Sequence, residues 1–332
     1  MGWLGGWQYR KSHVINSASG AGTGYQVRIK AHYGSGTDSG EDVYLNSHCR
    51  TDFGDVRFTD DDGVTLLDYW MEEKVDSDYA VFWVEIADDL SSSNATIYIY
   101  YGKSDATTTS NGDNTFLFFD DFSGTSLDSN KWDLIEGSVE VSNGNLVLTG
   151  TTGTRGRIEG KTVVSKPVAF HSRVKWSEAG ADCAVFNAMR KKGVSDVYIA
   201  NYHYENAGAN AVRFACSNTA GTTTSDYSVT TPTNYHIYKT TWKTGEAKAY
   251  FDDVAKKTIT NNVPTDDMAA YFREGRKNGQ DAYVDWYFIR KWVDPEPSHG
   301  SWGSEESAGG QTYEVNVDAV VQSHATITKE TI

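Results

Sequence analysis

Along most of the chain, apolar and polar residues alternate with a period of two, the spacing of a strand with one face on a core and one in water. Tyr25 to Tyr33 (YQVRIKAHY) shows it plainly. Elsewhere the alternation gives way to short, wholly apolar runs. The organising one is Phe116 to Phe119, which opens the stretch FLFFDDFSGTSLDSNKW ending at Trp132. Four residues are too few for a helix and suit a buried strand, and Ser123, Gly124 and Thr125 after it form a turn. A second such run, Tyr283 to Trp292 (YVDWYFIRKW), stops at a Pro-x-Pro. The two runs are expected to lie side by side as the first and last strands of one closed unit. Residues 1–115 are then a separate unit with a core of their own.

In the first unit, strands are expected at Trp7 to Ile15, Tyr25 to Tyr33, Tyr79 to Ile86 and Ala95 to Tyr101. Phe53 to Leu67 reads as a hairpin about Asp62-Gly63, a dipeptide that accepts positive φ. The second unit begins with a hairpin about Asn143-Gly144. Strands follow at Ala169 to Trp176, Cys183 to Arg190, Val197 to Tyr204, Ala211 to Cys216, His236 to Trp242 and Ala247 to Phe251, with one helical turn at Asp266 to Tyr271. Many strands joined by short polar turns give an all-β fold class: two antiparallel β-sandwich (jelly-roll) domains in tandem, 1–115 and 116–303. Residues 304–332 read as a linker (SEESAGGQ) followed by strand-like Thr312 to Gln322 and Ala325 to Ile332. A lone hairpin is marginal in water, so this tail is expected to add a strand to an exposed sheet edge of its own chain or another copy.

Composition sharpens the picture without changing it. The 20 Tyr, 13 Phe and 10 Trp are spread among Ser, Thr, Gly and Asn, as in sandwiches rather than helical bundles. A net charge of -15 argues against nucleic acid, which needs clustered Lys and Arg. No apolar run approaches the ~20 residues of a membrane-spanning helix. An acidic surface fits an extracellular, cell-surface or virion-surface location, and no signal peptide is visible after Met1. Three cysteines are too few for a disulfide framework. Cys183 and Cys216 are either bridged or buried thiols, and Cys49 is left over. Asp60, Asp61 and Asp62 read as a simple acidic turn rather than a calcium loop.

Six blocks in the first unit carry a resemblance: WQYRK, DVRFTDDDG, LLDYWMEE, VFWVEI, IYIYYGK and SNGDNTFLFFDDF. In order, they resemble the family called domain of unknown function 2341, over residues 3–122. The resemblance implies a β-sandwich accessory module with no catalytic residues, in which Trp70, Glu72, Trp83 and Tyr101 are core or inter-strand residues. In the second unit, DDFSGTSLDSNKWDL, GNLVLTG and the final VDWYFIRKW resemble the concanavalin A-like lectin and glucanase superfamily of jelly rolls. That superfamily implies a structural Ca²⁺ near the first and last strands, with Asp285 matching its final-strand carboxylate and Asp120 and Asp121 beside it.

Catalysis and binding make different demands on the central strands. Retaining glycoside hydrolysis needs two carboxylates ~5–5.5 Å apart. The laminarinase-like pattern E-x-D-x-x-E is not found there, and neither is the Gln-x-His of alginate lyases, although YFREGRKNGQ faintly resembles the latter family's Tyr-bearing strand. His203 reads as a packing residue. Sugar recognition needs aromatic rings and planar polar side chains, and these strands offer Trp176, Asn187, Arg190, Tyr202, Tyr204 and Arg213. The expectation is therefore a non-catalytic carbohydrate-binding or adhesion module whose partner is a polysaccharide or glycan surface. A structural subunit of a fibre or filament is the alternative, and a glycan-cleaving enzyme of laminarinase or alginate-lyase type stands third.

Overall fold

The structure is a computed structural model, which describes residues 2–149, 155–177, 186–203, 211–273 and 281–310. Among these the strands form four sheets. Sheet I runs Ser298–Trp302, Tyr9–Asn16, Ala95–Tyr101, Arg57–Thr59, with Glu306–Ser307 also on Tyr9–Asn16. Sheet II runs Asp42–Tyr44, Tyr25–His32, Tyr79–Ile86, Tyr69–Val75. Sheet III runs Glu140–Ser142, Asn145–Thr149, Asp281–Lys291, Val168–Trp176, His236–Lys243, Glu246–Phe251, Val254–Ile259. Sheet IV runs Gly221–Ser228, Ala211–Asn218, Tyr198–His203, Phe186–Arg190, Met268–Arg273, Arg157–Val164, Trp132–Glu136.

Alternation along three strands explains how the sheets are layered. In Tyr79–Ile86, Phe82 and Val84 enter the core between sheets I and II with Ile15, Ile97 and Phe58, whereas Trp83 points the other way. In Asp281–Lys291, Tyr287 and Ile289 enter the core between sheets III and IV, while Trp286 and Phe288 meet Trp83 and Trp70. Phe118 and Phe119 divide in the same way. Each sandwich thus buries one face of its inner sheet in its own core and gives the other to an aromatic seam between the two, which the period of two makes possible.

The first and last strands of the second unit do pair: Phe118–Asp120 lies antiparallel to Asp281–Lys291, with Phe119 opposite Phe288. The Asn143-Gly144 turn is also present, both residues at positive φ between Glu140–Ser142 and Asn145–Thr149. Three features differ from expectation. Met268–Arg273 is a strand and not a helical turn, because Met268, Ala270 and Phe272 alternate into the core. A short helix, Gly112–Thr115, precedes the seam, its N-cap Asn111 accepting from the Asn114 amide. Finally, Ser298–Trp302 belongs with the first sandwich, paired to Tyr9–Asn16, although it falls inside residues 116–303 in sequence.

The tail beyond 310 lies outside the described residues, and so does Cys183. Cys216 is a buried free thiol, as is Cys49. Among the described residues no helix is long and apolar enough to cross a membrane.

Candidate functional site

The residues expected to meet a glycan separate by strand parity. On Phe186–Arg190, Met189 points into the core, so Asn187 points inward too and donates to Ser172 Oγ across the sandwich. Trp176 lies in that core against Tyr238, with ring centroids 5.5 Å apart. Neither residue can meet a ligand on the sheet surface. Arg190, Tyr202 and Arg213 do share the outer face of sheet IV, where Tyr198, Tyr202 and Tyr271 surround Ala188 and Ala200. Arg190 is engaged with Glu159 Oε1 at 2.7 and 2.9 Å and lies over the Tyr271 ring. Arg213 grips both oxygens of Asp226. Burial pushes the Tyr202 phenol up to about 12, which removes it as a base near neutral pH. Tyr204 and the His203 side chain lie outside the described residues.

The carboxylates expected to bind calcium are not brought together. Asp120 turns into the sandwich and accepts from Trp132 Nε1 at 2.7 Å and from the Phe122 amide at 2.8 Å. Asp121 accepts from the Ser123 amide. Asp285 sits at a bulge in its strand and pairs with Arg173. Among the described residues no cluster of three or more potential ligands forms.

A different constellation lies where sheet II meets sheet III. A β-bulge between Met71 and Glu73 inserts Glu72 as an extra residue, and bulges of this kind re-aim a side chain. Glu72 faces the seam and accepts from Trp83 Nε1 at 2.7 Å. Opposite, the connection from Glu246–Phe251 to Val254–Ile259 is the tight turn Asp252-Asp253, both at positive φ, and Asp253 reaches back to Lys239 at 2.9 Å. Glu72 and Asp253 both line a cleft of about 430 Å³ whose walls include Trp83, Trp286, Arg28 and Glu41. Below it, Arg290 is buried between Glu296 and His171, donating from Nε to His171 Nε2 at 3.1 Å.

The two carboxyl groups are driven apart in acidity. Burial raises Glu72 above the usual carboxyl range, more than Arg28 and the Trp83 N–H can offset. Asp253 also loses hydration, but Lys239 and Arg28 outweigh that and hold it below the usual range. Burial together with Arg290 keeps His171 neutral. One wall of the cleft therefore carries an un-ionised acid at pH values where another carries a carboxylate. The family resemblance implies a core or inter-strand place for Glu72, and the sequence pattern does not single out Asp253. A glutamate in the aromatic run YWMEE, and an acid at a two-residue turn, were the signals available.

An all-β chain of two stacked sandwiches, antiparallel among the described residues but for the parallel pair Tyr25–His32 and Asp42–Tyr44, with a polar cleft between them, is the class that this fold and site define. Residues 52–135 match the family model described as "Domain of unknown function (DUF2341)", a span that begins inside the first sandwich and runs past the seam strand Phe118–Asp120. No curated protein matches the chain. Solved structures with the concanavalin A-like jelly roll do. An endo-beta-1,3-glucanase from Pyrococcus furiosus is 13% identical with a TM-score of 0.47, covering 54% of this chain and 95% of its own. A glycoside hydrolase family 16 endo-glucanase from Bacteroides ovatus is 18% identical with a TM-score of 0.42, covering 52% and 99%. The catalytic domain of an endo-1,3-beta-glucanase (laminarinase) from Thermotoga petrophila is 13% identical with a TM-score of 0.44, covering 53% and 97%. At this distance the likeness describes the fold. The expectation of a non-catalytic module without enzymatic activity finds no counterpart among these three neighbours, which are named as glucanases.

Proposed function

We propose that the chain is a glycan-cleaving enzyme whose chemistry takes place in the cleft between the two sandwiches. The supporting observation is a pair of carboxyl groups lining one cleft, Glu72 raised by burial and Asp253 held low beside Lys239 and Arg28. Glycoside hydrolysis uses one carboxylic acid and one carboxylate flanking the scissile bond, and environments that push two such groups apart assign the roles. Glu72 protonates the leaving oxygen as the glycosidic C–O bond breaks. Asp253 acts from the other side of the sugar ring, and water supplies the hydroxyl that completes hydrolysis. Arg28 and Glu41, 2.9 Å apart on the cleft wall, offer hydrogen bonds to hydroxyls.

The test is release of reducing ends from a panel of purified polysaccharides that includes β-1,3-glucan. Glu72→Gln and Asp253→Asn should each lower turnover by ~10²–10⁴-fold without shifting the melting temperature, as loss of acid–base catalysis does. Azide should restore turnover to Asp253→Ala and not to Glu72→Gln. Activity should fall off on the acid side as Asp253 is protonated, below the usual aspartate range, and on the alkaline side as Glu72 ionises, above the usual glutamate range. Wild-type protein that releases no reducing ends across the panel, or variants as active as wild type, would overturn the reading.

A further inference from the structure

Sheet I gains its edge strand from the far end of the chain: after leaving the second sandwich, the chain returns as Ser298–Trp302 and pairs with Tyr9–Asn16. The contact between the two strands is built around two histidines. His13 is fully buried, and its Nε2 stands 2.8 Å from His299 Nδ1, so one ring donates and the other accepts. Trp302 lies flat on His13 with centroids 3.6 Å apart. A shared N–H···N bond of this kind suits two neutral imidazoles, leaving His13 Nδ1 buried without a partner, and protonating both rings would put two positive charges face to face under an indole.

The surroundings do little to accept such charge. On the other side of Tyr9–Asn16, His13 is paired with Ile97 of Ala95–Tyr101. Lys11, on the same strand as His13, is bound to Asp38 and the Tyr44 carbonyl. From sheet II the one acid acting on His299 is Asp42, already held by His32 at 2.6 Å. On the returning strand's own approach, Glu296 is taken by Arg290 and Tyr25. Burial holds His13 down to about 3 and also lowers His299.

We propose that Ser298–Trp302 is an acid-released strap: protonation of the His13–His299 pair detaches it from Tyr9–Asn16. The strap leads directly from Glu296 and Pro297, which line the cleft together with His299. Its release would loosen one cleft wall, so the strap regulates the site assigned above and in that respect rests on the proposed function. The sign follows from linkage. Both histidines bind protons more weakly in the closed strap than in the open chain, so the closed form loses stability as pH falls below ~6.5 and continues to lose it toward the lowered values. The opening equilibrium should rise by up to about tenfold per pH unit for each histidine freed.

Amide exchange of the whole chain, corrected for intrinsic rates at each pH, tests this without any substrate. Amides of residues 298–302 should lose ~10–100-fold protection between pH 7 and pH 5, while those of Asp281–Lys291 should not change. His299→Gln, at a partly exposed position, keeps a hydrogen-bonding side chain that does not titrate, and should cut the pH dependence to that of one histidine. His13→Gln with His299→Gln should abolish it. If the double variant is poorly folded, His299→Gln alone still decides. Equal protection of the wild-type strap at both pH values, or an undiminished pH response in His299→Gln, would overturn the proposal. Because exchange needs no catalysis, that result would be distinct from a failure of the cleft to cleave glycans.

Discussion

Glu159 and Arg190 show how much a single pair can carry on the outer face of sheet IV. The carboxylate is 1% exposed and the guanidinium 6%, and the Gly193 amide adds a further donor to Glu159. Glu159→Gln removes the countercharge and leaves Arg190 buried without it, which costs about 3–5 kcal/mol. Replacing both residues with methionine should recover most of that loss, because an apolar pair of similar volume avoids desolvating any charge. Urea unfolding of the three proteins measures both effects. The sequence points to Arg190 as a surface residue but not to its partner, because the two stand on strands that flank Met268–Arg273 in sheet IV and are distant along the chain. Asn187 and Trp176 mislead for a related reason. A strand's period reveals that two faces exist, and only packing reveals which one is core, so a one-residue error in parity moves a candidate from surface to interior.

Elements with strong local signals are the legible ones. Tyr79–Ile86 and Ala95–Tyr101 coincide with their apolar alternation. The Asn143-Gly144 turn follows from its dipeptide. Gly144 has φ +71 and open space around it, so Gly144→Ala meets no clash and isolates the backbone cost of the left-handed conformation, about 1 kcal/mol. A lowered melting temperature without loss of the folded signal would check it. Edge elements were illegible. Gly221–Ser228 (GTTTSDYS) is nearly all polar because it ends sheet IV and buries little beyond Tyr227, so no hydrophobic pattern marks it. The bulge at Glu72 was hidden too: an extra residue in a strand leaves the composition unchanged and alters only where a side chain points.

For the whole molecule, the aromatic seam packs the two sandwiches against each other. Phe288 is fully buried there, stacked on Phe116 at 4.1 Å and on His171 at 4.5 Å. Phe288→Ala should cost about 3–5 kcal/mol and split a single calorimetric transition into two, because it removes packing between the sandwiches while leaving both cores intact. A mutant that still melts in one transition at the wild-type temperature would show that the seam couples nothing. The return of the chain to its starting sheet also has a mechanical side. Tyr9 is paired with Ser307 and Arg10 with Glu306, while Asn16 faces Ser298 at the far end. The N-terminal end of Tyr9–Asn16 and the C-terminal end of Glu306–Ser307 therefore lie at the same end of an antiparallel pair. Tension applied between them loads the inter-strand hydrogen bonds one after another instead of all at once, so the strap should peel like a zip at low force. The second sandwich, spliced in between Ala95–Tyr101 and Ser298–Trp302, would bear no load until that peeling is complete.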